Sequence, residues 1–243
     1  MQELTAYIAE FVGTTLLLLF GCGVNANTSL KGTYGKSSGW IVISFGWAMA
    51  VFIGVFVAAP ASGAHLNPAV TLALTITGKF DPALIPGYII AQLLGGILGA
   101  TLAWMHYRPH YRAEEDQATI LGTFATGPAI KDTPSNFMSE FLGTFAFLIA
   151  VLYLTAPNFG TPEGKLGSLD ALPVALVVLA VGLSLGGTTG YAINPARDLG
   201  PRIAHAILPI PGKGSSNWSY AWIPIVAPLG GAALAAFVWM TLQ

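Results

Sequence analysis

Long apolar runs alternate along the chain with short polar breaks. Runs centred near residues 6–24, 39–58, 84–104, 136–155, 171–188 and 220–241 each approach the ~20 residues that a membrane-spanning helix needs. The pattern predicts an all-α membrane protein with six spans. Two shorter apolar stretches do not fit it. The one that follows Asn67-Pro68-Ala69 stops at Gly78-Lys79, about ten residues on, and a helix of that length rises about 15 Å, roughly half of a ~30 Å hydrocarbon core. A second begins the same way at Asn194-Pro195-Ala196. Neither is long enough to cross.

The motifs belong to a repeat. Ala9 to Thr14 (AEFVGT) returns as Ser139 to Thr144 (SEFLGT), Ala91 to Gly96 (AQLLGG) returns loosely as Ala227 to Gly231 (APLGG), and the Asn-Pro-Ala motif occurs once in each half. The expected organisation is one channel-like domain over 1–243, with units at about 1–105 and 136–243 joined by a polar, solvated loop at 106–135. Each unit contains an odd number of spans, so the second must thread the membrane in the opposite sense: an inverted repeat. Half-helices entering from opposite faces would then meet near the midplane with their amino termini facing each other, together making a seventh span.

Asn is a good N-cap and Pro suits the first helical turn. With each carboxamide oxygen capping backbone N–H groups, the amide NH2 is left to project into the space between the halves. The segments before the caps, Gly63-Ala64-His65-Leu66 and Gly190-Tyr191-Ala192-Ile193, cannot be helical up to the Asn. Non-helical backbone at that depth persists only when buried in protein or lining a water-filled cavity. A row of carbonyls along a pore meets that condition.

Composition agrees with a membrane protein. Charged residues are 9% of the chain and the hydrophobic set 54%, against roughly 25% and 45–50% in soluble domains. The amino terminus, MQELTAYIAEF, lacks a basic region before its apolar run, so the first span is expected to be retained and not cleaved. Cys22 is the single cysteine, which excludes an internal disulfide, and the scattered histidines and absence of ligand spacing suggest no metal site and no cofactor. Net charge is −1 without a basic run, so nucleic acid is not an expected partner. With a cytoplasmic amino terminus the inner loops would carry Lys79 and Lys165 and the outer ones Lys31, Lys36, Arg108, Arg112 and Lys131; the positive-inside rule favours the reverse.

Three charged residues sit where charge is expensive. Glu10 and Glu140 occupy equivalent repeat positions within spans, and Arg197 follows the second Asn-Pro-Ala. Intramembrane charges are normally paired or functional. Arg197 and Asp198 are adjacent on a helix and do not face each other, which leaves Arg197 as a pore-facing cation.

The paired motifs at Asn67-Pro68-Ala69 and Asn194-Pro195-Ala196 resemble those of the aquaporin family, and the resemblance runs from the first span to the last. The continuation Arg197-Asp198 is similar to the glycerol-facilitator, or aquaglyceroporin, branch. The resemblance implies six tilted helices plus two re-entrant half-helices, one pore per subunit, and a homotetramer in the lipid bilayer. It also implies that Glu10 and Glu140 accept backbone N–H bonds from the re-entrant loops, with Asp198 likewise in a supporting role. The narrowest point would be formed by Trp47, Gly182, Tyr191 and Arg197, with Phe45 as the alternative to Trp47. Gly182 would leave room for the solute, where water-selective relatives carry a bulkier His. Tyr191 departs from the Phe usual in this branch, and its hydroxyl could face either the lumen or the protein. His65 is expected to line the pore and donate to solute.

The glycines Gly182, Gly186 and Gly190, and Gly95 and Gly99, recur at four-residue spacing, a pattern usual for close helix packing. No nucleophile–base pair is present, so an enzyme is not expected. The expected function is passive passage of small uncharged solutes, glycerol first, with water permeating and ions and protons excluded. Protonated lactic acid, urea and dihydroxyacetone are alternatives of similar size. An ion-coupled secondary transporter is the alternative of another class, since broken helices in inverted repeats are its hallmark too.

Overall fold

A computed structural model describes residues 2–154 and 167–243; Lys165, counted above among the loop charges, lies outside them. The described residues are helical with irregular connections. In chain order the helices are α1 (Gln2–Ser29), α2 (Trp40–Ser62), α3 (Pro68–Ile76), α4 (Ile85–His106), α5 (Arg108–Ala113), α6 (Gln117–Gly122), α7 (Thr133–Leu154), α8 (Leu172–Leu185), α9 (Pro195–Ile207) and α10 (Ile223–Thr241). Short 3-10 turns at Pro82–Leu84 and Gly167–Ala171 lead into α4 and α8.

Five helices, α1, α2, α4, α7 and α10, are long and apolar enough to cross a membrane. The sixth expected span, near 171–188, is shorter: α8 has 14 residues. Burial is arranged for lipid. Leu4, Ile8, Ile90, Leu94, Leu176 and Phe237 are exposed, whereas Glu10, Gln92, Glu140, Asp198, Arg202 and His205 are buried. In water that exposed apolar surface would be unfavourable; in a bilayer it faces like material.

Close packing follows from the glycines. A Cβ added at Gly95 would lie 2.5 Å from the Phe11 carbonyl oxygen, and one at Gly231 would overlap the Phe141 carbonyl, so α4 lies on α1 as α10 lies on α7. Gly96 and Gly200 bring α4 against α9 in the same way, an added Cβ at Gly200 lying 3.0 Å from Gly96 Cα. The Gly95–Gly99 face thus serves helix packing. Gly182 and Gly186 serve another purpose: added Cβ atoms there meet the ring of Tyr191.

The connection 106–135 exposes most of its charged residues, but it contains α5 and α6 and is buried in part. Tyr111, Ile120 and Phe124 are fully buried, and the segment folds back over one mouth of the helix bundle. Glu114 anchors it, accepting from the backbone N–H groups of Lys31, Glu115 and Asp116 at 3.1 Å each. Burial pushes the Glu114 carboxyl up, but those three donors and the Lys36 ammonium outweigh it and hold it below the ordinary carboxylate range. Glu114 is the buried one among the charged residues here, while Arg108, Arg112, Glu115, Asp116, Lys131 and Asp132 are exposed.

Candidate functional site

Two breaks in the helical backbone define the site. Gly63 caps α2 in the left-handed region at φ 78°, and its N–H bonds to the Ala59 carbonyl. The chain then passes through positive φ at Ala64 (51°) and Leu66 (52°); in the other half the same sequence of conformations occurs at Gly190 (85°), Tyr191 (39°) and Ile193 (44°). Each non-glycine residue so placed costs on the order of 1–3 kcal/mol and persists only where its surroundings fix it. The fixing groups are the two buried carboxylates. Glu10 accepts from the N–H of His65 (2.8 Å) and Leu66 (2.7 Å), Glu140 from the N–H of Ala192 (2.9 Å) and Ile193 (3.0 Å). Among the described residues the carbonyls of Ala64, His65, Tyr191 and Ala192 receive no protein donor.

Asn67 and Asn194 end these segments and start the half-helices. Asn67 Oδ1 accepts from the Ala69 N–H at 2.8 Å; Asn194 Oδ1 accepts from Ala196 and Arg197 at 3.0 and 3.1 Å. Pro68 and Pro195 occupy the first turn of α3 and α9. The amide NH2 groups do not simply project into open space. Asn67 Nδ2 donates to the Ile193 carbonyl (2.9 Å) and Asn194 Nδ2 to the Leu66 carbonyl (2.8 Å), a reciprocal tie between halves. Each NH2 retains one further hydrogen, and both asparagines line the adjoining cavity.

That cavity, of about 130 Å³, is lined by Leu17, Val51, Phe147 and Val174 together with Gly63 to Asn67 and Tyr191 to Asn194. One water centre needs only about 10–15 Å³, so the space admits a small polyol or several waters. His65 lines it with Nδ1 engaged to Thr71 Oγ1 at 3.1 Å and its ring stacked edgewise on Phe80. A second cavity of about 270 Å³ opens on the side of residues 119–127. The two share three residues: Trp47, Tyr191 and Arg197. Arg197 Cζ lies 3.9 Å from the centroid of the Trp47 ring, and its buried Nη1 has no hydrogen-bond partner among the described residues. The two cavities therefore adjoin at two aromatic groups and a guanidinium.

Gly182 is not a fourth lining group. A Cβ there would lie 3.0 Å from Tyr191 Cζ, so the glycine makes room for the tyrosine and not directly for a solute. Trp40 donates its indole N–H to the Gly182 carbonyl at 2.8 Å and packs edge-on against the Tyr191 ring. The Tyr191 hydroxyl is buried beside Ser44 Oγ; the pair is close enough to interact, although its geometry falls short of a regular hydrogen bond, and neither has another partner among the described residues. Phe45 is exposed on the outer surface and takes no part.

Asp198 does pair with an arginine, but with Arg202. Its carboxylate accepts from Arg202 Nε at 2.8 Å and from the N–H and hydroxyl of Thr126 at 2.8 and 2.6 Å, and Arg202 donates onward to the carbonyls of Thr126 (2.9 Å) and Ser216 (2.8 Å). This fully buried network joins α9 to the folded-back connection. Arg202 and Thr126 were not singled out from the sequence; the i,i+4 spacing of Asp198 and Arg202 was the available signal.

Half-helices that meet amino terminus to amino terminus inside a bundle of apolar helices, beside a cavity lined by both asparagines and Arg197, define a multi-pass membrane channel and not an enzyme. The chain belongs to the major intrinsic protein family, whose family model matches residues 1–239. It is 52% identical over 239 residues to a glycerol uptake facilitator protein of Streptococcus pneumoniae (strain ATCC BAA-255 / R6), covering 98% of both chains. It is 50% identical over 230 residues to a glycerol uptake facilitator protein of Bacillus subtilis (strain 168), covering 95% of this chain and 82% of that one. The X-ray structure of the aquaglyceroporin from Plasmodium falciparum superposes with a TM-score of 0.85 at 32% identity, covering 98% of this chain and 95% of the other.

Proposed function

We propose that the protein passes glycerol, and small neutral polyols like it, down their gradients through a passage running past Trp47, Tyr191 and Arg197. The observation that carries this reading is the mixed lining of the cavity. Apolar side chains of Leu17, Val51 and Val174 line the same cavity as loop backbone, Asn67 and Asn194, so a carbon chain can meet the former while its hydroxyls meet acceptors and donors among the latter. The glycerol-facilitator names of the relatives point the same way.

Water would accompany the solute. Cations and protons would be opposed by the facing amino-terminal ends of α3 and α9 and by the fixed charge of Arg197. Glu10, Glu140 and Asp198 act by holding the loops and α9, not by touching solute. The chain works as one channel domain of two oppositely threaded units, assembled as a homotetramer with one pore per subunit.

The test is light-scattering swelling of proteoliposomes against glycerol, urea, lactic acid and xylitol. Glycerol flux linear in its gradient and indifferent to ion gradients is expected. Saturating flux that needs an ion gradient would make the protein a coupled transporter instead.

A further inference from the structure

Trp47 reaches the junction of the two cavities from α2, but what holds it there belongs to α1. A Cβ added at Gly21 would overlap the six-membered ring of the Trp47 indole, so only a glycine lets the ring lie against the helix. One turn on, Asn25 Oδ1 accepts the indole Nε1–H at 3.0 Å, and Asn25 Nδ2 donates to the Gly122 carbonyl at 3.2 Å. The indole offers only a donor and the carbonyl only an acceptor, so this pair of bonds fixes which way the amide points. Gly21 and Asn25 thus form a shelf that sets both the depth and the rotation of the ring beside Arg197. Through Gly122, the same amide couples the ring to the connection over the outer cavity.

We propose that Asn25 and Gly21 are positioning residues that set the size cut-off of the channel by fixing the Trp47 indole. The proposal rests on the reading of Trp47, Tyr191 and Arg197 as the solute filter. A freed indole can rotate about its χ angles, and a ring pushed off α1 has the passage and Arg197 before it. Loss of Asn25 should therefore blur size discrimination. A methyl group at Gly21 should sharpen it against anything larger than water.

The experiment measures water, glycerol and xylitol permeabilities in proteoliposomes for wild type, Asn25→Leu, Gly21→Ala, Trp47→Phe, and Asn25→Leu combined with Trp47→Phe, at equal reconstituted protein. Asn25→Leu is expected to shift the glycerol-to-xylitol ratio several-fold, and Gly21→Ala to lower glycerol-to-water several-fold. Because Phe has no indole N–H, adding Asn25→Leu to Trp47→Phe should leave the ratios of the single Trp47→Phe protein unchanged. Wild-type ratios in Asn25→Leu and Gly21→Ala would overturn the proposal, as would an Asn25→Leu shift of the same size in the Trp47→Phe background. If Asn25→Leu does not assemble, Gly21→Ala alone decides it. Wild-type ratios in Trp47→Phe would instead refute the filter reading beneath it.

Discussion

The two re-entrant segments have the same backbone and different chemistry. Both alternate through positive φ, both hang from a buried carboxylate, and each donates an asparagine amide to the other. Counting from Asn67 and Asn194, however, Val70 stands where Arg197 does, Thr71 where Asp198 does, Thr75 where Arg202 does, and Ala64 where Tyr191 does. The support differs as well. Glu10 accepts two further bonds, from Ser62 Oγ and Gln92 Nε2 at 2.7 and 2.8 Å. Counting from the packed glycines Gly95 and Gly231, Pro228 stands in place of Gln92, and Glu140 has only the Thr189 hydroxyl beyond its backbone donors. Of the two re-entrant segments, only the second thus carries a tyrosine and an arginine at these positions, where they meet Trp47 from the first unit. Its half-helix also carries the Asp198–Arg202 ion pair, whose hydrogen bonds to Thr126 and Ser216 tie it to neighbouring segments.

The largest effect expected from breaking this asymmetry lies in the ion pair. Arg202→Leu strands the Asp198 carboxylate in a fully buried site and should destabilise the protein by about 3–5 kcal/mol, whereas Thr75→Ala in the first copy should cost under about 1 kcal/mol. Thermal aggregation in detergent ranks the two. Replacing both Asp198 and Arg202 by apolar residues should recover part of the loss, since no unpaired charge then remains.

Carboxamides at the two carboxylates probe the support next. Each replacement weakens a charge-assisted bond to a loop N–H, worth about 1.5–3 kcal/mol. Glu10→Gln should be tolerated better, because Ser62 can turn its hydroxyl and Gln92 has a buried, unpartnered Oε1 that can accept from the new amide after reorientation. Lower yield or flux for Glu140→Gln than for Glu10→Gln, with glycerol-to-urea ratios near wild type in both, is expected. Equal losses would remove the distinction drawn here.

Tyr191→Phe sharpens the chemical side. Its hydroxyl lies buried beside Ser44, so the change should leave the lactic acid-to-glycerol permeability ratio at low pH unaltered and shift stability by under about 1.5 kcal/mol. A changed ratio would show that the hydroxyl meets solute.

The smallest effect concerns the connection 106–135, which the first unit binds through Lys31 and Asn25 and the second through Asp198 and Arg202. Glu114 is held below its ordinary pKa, so its contribution to stability is full above the unfolded value of about 4.3 and is lost as pH falls through the folded one. The protection of the amides at Lys31, Glu115 and Asp116 against hydrogen exchange, relative to their intrinsic rates at each pH, should fall only in that acid range, and Glu114→Gln should remove the dependence.

Helix breaks, repeat positions and unusual charges were legible in the sequence because membrane burial makes each of them costly. Asn67, Asn194, Glu10, Glu140 and Arg197 all announce themselves as polar groups among apolar residues. In the connection 106–135 the exposed charged residues were legible too, but the burial of Tyr111, Glu114, Ile120 and Phe124 was not, since only the fold supplies what covers them. Arg202 and Asn25 were equally silent: one sits in a polar half-helix, the other near the end of α1, and only the fold brings their partners from residues 126, 216, 47 and 122. Gly182 was assigned to the solute because sequence cannot say which neighbour fills the space a glycine leaves.

The most direct test converts the second copy toward the first at its decisive position. Arg197→Val places there the residue that the first copy has at Val70, removing the fixed charge and its unpaired donors while the Asn-Pro-Ala backbone stays. Glycerol, xylitol and cation permeabilities of this protein, reconstituted at wild-type density, should show glycerol still passing, with xylitol and monovalent cations or protons admitted several-fold faster relative to it. A folded Arg197→Val protein with wild-type glycerol-to-xylitol ratio and undiminished ion exclusion would contradict the claim that Trp47, Tyr191 and Arg197 form the filter.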